Sequence, residues 1–197
     1  MSIVVEHEKR RKEILEKALA VFMDDGFEDA TFQRIADRCN ITRTTLYLYF
    51  KNKKEIFNYS IKQLLIKAEE KINDVRTDQS INSIEKITRV ILVIFKLMEQ
   101  NRKLLSVILD YLLHLSKNDD NPEVQVRRRT VKLRHILSSM VIEGVKAGEI
   151  KKVSIKTADD YLYSLIEAAI YHLVILKRKN LGELKEMVVF AVKQFAV

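Results

Sequence analysis

The sequence predicts an all-α protein with an N-terminal three-helix helix-turn-helix domain and a six-helix C-terminal domain. Its 197 residues include only four Gly and one Pro, and long stretches without either residue favour helices. Hydrophobic residues make up 47% of the chain, a share typical of a globular protein with a sizeable core. The third observation is the segment from Thr31 to Lys54, which has the pattern of two short helices joined by a tight turn.

The helix-turn-helix segment has a capping residue at the start of each of its helices. Thr31 is a suitable N-cap for the first helix, and Thr42 for the second. Between them, Asn40 stands where the chain needs a left-handed residue, and asparagine tolerates that conformation better than most residues other than glycine. The residues expected to point inward are Ile35, Ala36, Ile41, Leu46 and Phe50.

The outer face of the second helix is predicted to contact DNA. It carries Arg43, Thr44, Thr45, Tyr47 and Tyr49. Between residues 31 and 62 there are seven Lys/Arg against two acids, and the free N–H groups at the helix starts add sites for phosphates. Two alternatives stay open. The two helices could be an ordinary corner of an all-α domain, and the tyrosines could be half-buried packing residues, an alternative that fits Tyr49 better than Tyr47.

Caps and polar breaks divide the rest of the chain into seven more helices. Asn52 followed by Glu55 is a capping-box pattern that opens the helix after the helix-turn-helix. Thr157 is the predicted N-cap of the eighth helix, and Asn180 opens the last one. These helices are predicted at about residues 6–25, 53–74, 82–100, 102–116, 122–146, 157–179 and 181–195. The predicted domains are 1–54, for DNA binding, and 55–197, for ligand binding and dimerisation.

The first third of the chain resembles the TetR family of bacterial transcriptional regulators. The resemblance lies in the basic start of the first helix, the Gly-Phe pair after it, the helix-turn-helix pattern and the Asn-Lys-Lys-Glu sequence that follows. The matching positions are Lys9 to Lys12, Ile14, Leu15, Ala18, Phe22, Gly26, Phe27, Thr31, Ile35, Ala36, Ile41, Thr45 to Tyr47, Tyr49, Phe50 and Asn52 to Glu55. Two positions depart from the family pattern: Asn40 stands where glycine is usual, and Thr44 where glycine is common.

The resemblance implies a sequence-specific DNA-binding regulator, most often a repressor in that family. It would bind a palindromic double-stranded operator as a homodimer, with recognition helices about 34–36 Å apart to reach successive major grooves. A small-molecule effector entering an apolar cavity would swing helix 4 and change that spacing. By the resemblance, Thr31 and Lys53 hold phosphates and the recognition helix lies in the groove. The predicted DNA-binding residues are Thr31, Thr42, Arg43, Thr44, Thr45, Tyr47, Tyr49 and Lys53.

Two further residue sets concern the effector and the dimer. Apolar and flexible side chains of the middle helices, with a few polar groups, suit a mostly apolar ligand; the predicted set is Phe95, Met98, Leu109, Tyr111, His114, Leu137, Met140 and Tyr163. The eighth helix is apolar on both sides, so one side is expected to meet a second subunit. The predicted interface is Leu165, Ala168, Ala169, His172, Leu176, Met187, Ala191 and Phe195. Two alternatives stay open. The predicted ligand-binding residues could only fill the core, and the chain could be a DNA-bound architectural or scaffold protein whose C-terminal domain binds another protein.

Composition limits the other classes of function. The net charge is +8, but residues 1–60 hold eleven Lys/Arg against ten Asp/Glu and so carry only +1. The single cysteine, Cys39, excludes an internal disulfide, fits a reducing cytoplasm and is expected to be packed rather than a redox sensor. The sequence shows no signal peptide and no apolar run that could cross a bilayer, so a cytoplasmic protein without membrane partners is expected. Without a glycine-rich phosphate loop or histidines at metal-ligand spacing, we predict no catalytic site, cofactor or metal.

Overall fold

The computed structural model describes residues 3–117 and 122–197. Within these ranges the chain forms nine α-helices, one short π-helical segment and no β-strand, only an isolated bridge between Ile150 and Ala196. The all-α prediction is therefore confirmed. The helices are α1 (Ile3–Asp29), α2 (Phe32–Cys39), α3 (Arg43–Tyr47), α4 (Lys53–Thr77), α5 (Ser83–Gln100), α6 (Arg102–Lys117), α7 (Pro122–Lys146), α8 (Ile155–Ile170) and α9 (Gly182–Lys193), with the π segment at Tyr171–Ile175.

The described residues form two compact units, each with its own packing. Unit 1 runs to Lys67 and also includes Ser106–His114 of α6, whereas unit 2 comprises Ala68–Leu105 and Leu115–Val197. Helices α4 and α6 therefore each contribute residues to both units. The boundary predicted between residues 54 and 55 separates functions rather than packing units, and it stays a prediction.

Unit 1 holds α2 and α3 against α1 and the first half of α4. Its buried apolar side chains include those predicted to point inward from the helix-turn-helix: Ile35, Ala36, Leu46 and Phe50. Ile41 is half-buried. An aromatic group of Phe22, Phe27, Phe57 and Tyr111 joins α1, α4 and the α6 segment, with ring centroids 4.4–5.9 Å apart.

The local caps of the helix-turn-helix form as predicted. The Thr31 hydroxyl accepts a hydrogen bond from the Arg34 amide at 3.2 Å, and the Thr42 hydroxyl accepts one from the Thr45 amide at 3.0 Å. Asn40 ends α2 in the left-handed conformation, with φ 54° and ψ 46°. Gly26 interrupts α1 with φ 82° and ψ 173°, a conformation that glycine adopts without a side-chain clash. Of these features, the left-handed Asn40 and the Thr42 cap form the turn between α2 and α3.

Helix α8 differs from its predicted bounds at both ends. Its cap is Ser154, whose hydroxyl accepts from the Thr157 amide at 3.4 Å, so the prediction of Thr157 as the cap is wrong. The helix was expected to reach Lys179, but its α-helical hydrogen bonds stop at Ile170 and a π segment follows. The chain then turns at Lys177, which has φ 51°. Ser154 and Thr157 are both good capping residues three positions apart, so only the preceding turn decides between them.

Unit 2 is built around a single apolar core shared by α5, α7, α8 and α9. Gly144 of α7 lies so close to its neighbours that a Cβ there would be 2.5 Å from Ile150 Cδ1 and 2.8 Å from Ser83 Cβ. The C-terminal segment closes the core, because the Lys151 amide donates to the Phe195 carbonyl at 2.8 Å. No helix in the described ranges is both long and apolar enough to span a bilayer.

Candidate nucleic-acid interface and effector core

The recognition helix α3 presents its first turn to solvent. Arg43 and Thr44 are exposed, whereas Thr45 is half-buried. The Thr42 and Thr45 hydroxyls lie 2.8 Å apart and share a hydrogen bond. Because these two hydroxyls already bind each other and the Thr45 amide, Arg43 and Thr44 are the groups of this turn best placed for base edges, which a recognition helix meets near its N-terminus.

Arg43 and Tyr47 form an ordered pair one helical turn apart. Arg43 Nη2 donates to the Tyr47 hydroxyl at 3.2 Å, and the guanidinium lies 5.6 Å from the centre of the Tyr47 ring. That ring in turn stacks on Phe32, at the start of α2, with centroids 4.6 Å apart. The stacking restrains Tyr47 and, through it, Arg43, so the guanidinium needs little further ordering to make a bidentate contact with a base or phosphate.

Tyr49 has a different role from Tyr47. Its ring is half-buried and stacks on His7 of α1, with centroids 4.5 Å apart and planes inclined by 20°. Because the ring already packs against α1, less of it is available to DNA, and a DNA contact by Tyr49 stays a prediction. The packing alternative, which the sequence left open, describes Tyr49 better.

Lys53 lies at the first turn of α4, beside the end of α1. Its ammonium donates to the Glu28 carbonyl at 2.6 Å and lies 4.8 Å from the centre of the Phe27 ring. The Asn52 side chain caps the same turn by accepting from the Glu55 amide at 2.8 Å, as predicted. A phosphate at this helix start would therefore meet a cation whose stem is already positioned.

The acidic residues near the end of α1 pair with α2. Arg34 contacts Asp25 at 2.5 Å, and Arg38 contacts Asp24 at 3.6 Å. The Arg38–Asp24 pair is exposed and contributes little stability, on the order of 0–1 kcal/mol, whereas the Asp25 side chain is only 10% exposed. Both pairs partly neutralise two of the seven basic residues counted from the sequence. The positive charge available for DNA is therefore concentrated on α3 and the start of α4.

Leu48 is a feature of this surface that sequence reasoning missed. It directly follows α3, keeps a right-handed helical backbone with φ −68° and ψ −23°, and is 75% exposed. Its position four residues after Thr44 places both side chains on one face. The four-residue spacing from Thr44 is the signal in the sequence that indicates this shared face.

Cys39 is buried at the end of α2, with its thiol 4.0 Å from the Ile14 carbonyl. Burial raises the pKa of this thiol, and the charges of Lys17 and Arg10 only partly oppose that effect. A buried, protonated thiol is a poor nucleophile. The geometry therefore favours the packed residue over the redox sensor.

The predicted ligand-binding residues divide into two groups. Phe95, Met98, Leu137, Met140 and Tyr163 all belong to the apolar core of unit 2. The other three, Leu109, Tyr111 and His114, belong to the α6 segment of unit 1. Tyr111 is packed between Phe27 and Phe57, and His114 is exposed with Nδ1 3.5 Å from Glu28. Tyr111 is therefore a core residue of unit 1 and His114 a surface residue, and their assignment to a ligand pocket stays a prediction.

A polar group lies beside the apolar set of unit 2. Arg134 of α7 pairs with Asp159 at 2.8 Å and with Asp160, and its guanidinium lies 4.7 Å from the centre of the Tyr163 ring. Asp159 Oδ1 is buried without a hydrogen-bond partner among the described residues. Burial raises the pKa of the Tyr163 hydroxyl, an effect that a hydrogen bond with Thr130 only partly opposes, so the hydroxyl is protonated at neutral pH. Tyr163 thus remains a suitable polar contact for a mostly apolar ligand.

Comparisons with known proteins identify the family. The sequence profile for bacterial regulatory proteins of the tetR family matches residues 14–59, the region that contains α2 and α3. The chain is 26% identical over 170 residues to the fatty acid metabolism regulator protein of Bacillus subtilis strain 168, covering 83% of this chain and 84% of that relative. The chain belongs to the TetR family. It is a DNA-binding transcriptional regulator.

Two further relatives of this TetR-family chain match well beyond the helix-turn-helix. It is 26% identical over 143 residues to the HTH-type transcriptional repressor KstR2 of Mycolicibacterium smegmatis, covering 72% of this chain and 68% of the relative. The crystal structure of the transcriptional regulator FadR from B. subtilis, in complex with stearoyl-CoA, superposes with a TM-score of 0.75 at 22% identity. That superposition covers 92% of this chain and 96% of FadR, so the two share one fold along their whole length.

The predicted dimer residues of this TetR-family chain differ sharply in exposure. Leu165, Ala169 and Ala191 are buried in the core of unit 2. Their side chains offer no surface to a partner, and their assignment to the interface is corrected. Leu176 and Met187 are exposed, whereas Ala168, His172 and Phe195 are half-buried. The outward apolar side chains that sequence reasoning missed are Tyr161, Tyr171, Ile175 and Phe190.

Proposed function

We propose that this chain is a transcriptional repressor that binds a palindromic operator as a homodimer and releases it when a long-chain acyl ligand binds unit 2. The observation that carries the proposal is the ordered Arg43–Tyr47 pair on an exposed, capped recognition helix. The KstR2 relative is named a repressor, and repression needs only that the regulator occupy DNA that polymerase requires.

The dimer proposal rests on two outward, mostly apolar stripes. On α8 and the π segment the residues with exposed surface recur at spacings of three and four: Tyr161, Ser164, Ala168, Tyr171 and Ile175. On α9 the corresponding stripe is Met187 and Phe190, followed by Gln194 at the C-cap. Such spacing forms a seam that interdigitates with another helix, and a two-fold axis would pair each stripe with its symmetry mate in a four-helix interface.

The effector proposal rests on the core of unit 2 and on the relatives. Its central side chains include the flexible Met98 and Met140 beside Phe95, and methionine repacks readily around irregular apolar groups. Two relatives point to acyl ligands, because one is named a fatty acid metabolism regulator and FadR was crystallised with stearoyl-CoA. We therefore propose a long acyl chain among these side chains, with Tyr163 or Arg134 near a polar group of the ligand.

The DNA-binding part is tested by comparing two substitutions on specific and random duplexes. The specific duplex is the one recovered from a random-sequence pool by the wild-type chain. Arg43→Ala should weaken binding to that duplex by about 1–3 kcal/mol and leave random DNA nearly unaffected, because a bidentate guanine contact carries sequence information. Lys53→Ala should weaken both and reduce the slope of log K against log salt by about one, because it removes a phosphate contact.

Lys146→Ala, which removes an exposed lysine from α7 in unit 2, is the matched control and should change neither affinity. Circular dichroism on each variant checks that the helices are intact, since Lys53 also contacts Glu28 and Phe27. Equal losses for Arg43→Ala and Lys53→Ala on both duplexes would contradict this division of roles.

A further inference from the structure

The most exposed large apolar side chain in the described part of unit 1 is Leu48, at 75%. It contributes nothing to the core, which in this turn is formed by Leu46 and Phe50, both buried. A single exposed leucine on a protein surface needs no explanation by itself. Its position does, because it is the C-cap of the recognition helix α3, directly after Tyr47.

The surface of α3 has two rows of side chains. Arg43 and Tyr47 form one row and are held together by a hydrogen bond of 3.2 Å. Thr44 and Leu48 form the neighbouring row, since residues four apart on a helix lie one above the other. Both members of this second row are exposed, and together they present apolar carbon, the threonine methyl and most of the leucine side chain, next to the Arg43–Tyr47 row.

An apolar side chain selects among the groups that DNA displays. Phosphate oxygens and the hydrogen-bonding edges of the bases gain nothing from a leucine. In the major groove, the one apolar group is the 5-methyl of thymine. A leucine that enters the groove beside an arginine therefore distinguishes thymine from cytosine at one step, while the arginine reads a neighbouring base.

We propose that Leu48, supported by the methyl of Thr44, contacts a thymine 5-methyl group in each half-site of the operator and so sets a preference for thymine at that step. The inference deepens the operator binding proposed above and rests on it. It assigns to Leu48 a contact that specifies sequence, next to the phosphate contact of Lys53, which does not.

The test removes the methyl group from the DNA rather than from the protein. The full-length wild-type chain first selects a duplex from a random-sequence pool, and each thymine of that duplex is then replaced singly by deoxyuridine, which lacks only the 5-methyl. In each half-site, replacement of one particular thymine should weaken wild-type binding about fourfold. That is the effect of losing the burial of one apolar carbon, the 5-methyl group. Replacements at the other thymines should change the affinity little.

Three variants connect that effect to Leu48. Leu48→Ala should bind the unmodified duplex more weakly and lose the sensitivity to deoxyuridine at that position, whereas Leu48→Met keeps an apolar side chain of similar reach and should retain it. Leu113→Ala, which shortens an exposed leucine of α6 in unit 1, should behave as wild type. The proposal is overturned if no single replacement affects the wild type, or if Leu48→Ala keeps the same sensitivity. Failure to select any duplex would instead contradict the operator binding on which it rests.

Discussion

The ring of Tyr111 is the centre of the aromatic group in unit 1. It lies 4.4 Å from Phe27 and 5.1 Å from Phe57, measured between ring centroids. Its side chain is 2% exposed, and its hydroxyl is buried without a hydrogen-bond partner among the described residues. The ring therefore stabilises unit 1 by packing, whereas the hydroxyl carries the cost of desolvation without the gain of a hydrogen bond.

We predict opposite results for two substitutions at Tyr111. Tyr111→Phe should leave the free energy of unfolding unchanged or raise it by up to about 1 kcal/mol, because it removes an unpaired buried polar atom. Tyr111→Ala should lower it by about 3–5 kcal/mol, because it leaves a cavity between Phe27 and Phe57. Urea titrations of both variants measure the difference, and a loss of several kcal/mol in Tyr111→Phe would mean that the hydroxyl has a partner.

Glu99 ties the start of α9 to α5. Its carboxylate accepts hydrogen bonds from the Leu181 amide at 2.7 Å and from Lys185 Nζ at 2.8 and 2.9 Å. Burial favours the neutral acid, but the hydrogen bonds from Lys185 and Leu181 and the charge of Lys185 outweigh it and lower the pKa of Glu99. The ionised carboxylate is therefore more stable in the folded chain than in the unfolded chain.

The pH dependence follows from that direction. Because the folded pKa lies below the unfolded value of about 4.3, the stabilisation is fully present above pH 4.3 and is lost as the pH falls through the folded pKa. Glu99→Gln should therefore be less stable than wild type by roughly 1 kcal/mol at pH 7, and this difference should be smaller at pH 3. Urea titrations at both pH values test this, and a difference that does not change with pH would contradict it.

Sequence reasoning succeeded where one residue interacts with its near neighbours. The caps at Thr31 and Thr42 and the left-handed Asn40 depend on contacts within four residues, so the local sequence contains the whole interaction. The ion pairs between α1 and α2, and the one between His114 and Glu28, join residues far apart in the chain. Those depend on how the helices pack, which a list of residue types does not determine.

At the scale of elements, the C-terminal end of α8 is the least predictable part of the chain. The sequence showed two apolar faces on this helix, and the inner face was assigned to the partner. The π segment at Tyr171–Ile175 adds about one residue per turn, so a projection at 3.6 residues per turn drifts from the real faces after Ile170. The error at Ala169 has another cause, because it lies before that segment. Ala168 and Ala169 are successive residues of which only Ala168 retains an exposed surface, and the packing of α8, not its sequence, decides which of the two faces the core.

The corrected faces predict different outcomes for two glutamate substitutions. Phe190→Glu places a charge on a side chain that is 69% exposed, so it should split the dimer and leave the monomer folded. Ala169→Glu places a charge where the native residue has no exposed surface, so it should unfold unit 2. Sedimentation velocity at micromolar concentration reports the first effect, and circular dichroism the second.

Leu113→Glu provides the control for exposure alone. Leu113 is 54% exposed in unit 1 and lies outside both stripes, so its substitution should leave a folded dimer. A folded dimer of Phe190→Glu would contradict the proposed interface, and so would a wild-type chain that sediments as a monomer.

At the scale of the whole molecule, the proposed ligand-binding core and the proposed DNA-binding surface belong to different units. Helices α4 and α6 are continuous and contribute residues to both. A shift of either helix is the route by which we propose that a ligand in unit 2 affects unit 1. A ligand shifts the DNA-binding equilibrium only by its differential affinity for the two states, so effective release requires binding that is much weaker in the DNA-bound form.

We predict that a long-chain acyl thioester both stabilises the free protein and releases the selected duplex. Stearoyl-CoA at 100 times its Kd should add about 2.7 kcal/mol to the free energy of unfolding, which for a chain of this length corresponds to a rise of roughly 5–10 °C in Tm. Coenzyme A alone lacks the acyl chain and should do neither.

Tyr163→Phe should lower the affinity for stearoyl-CoA severalfold without changing the affinity for DNA, since it removes one polar contact. Thermal shift and fluorescence anisotropy measure the two effects. The contradicting result would be a chain that still binds the operator but whose Tm is raised by no acyl compound, other hydrophobic acid, aromatic or cationic drug. The predicted ligand-binding side chains would then only fill the core of unit 2. The scaffold alternative, in which unit 2 binds another protein, would replace the effector mechanism.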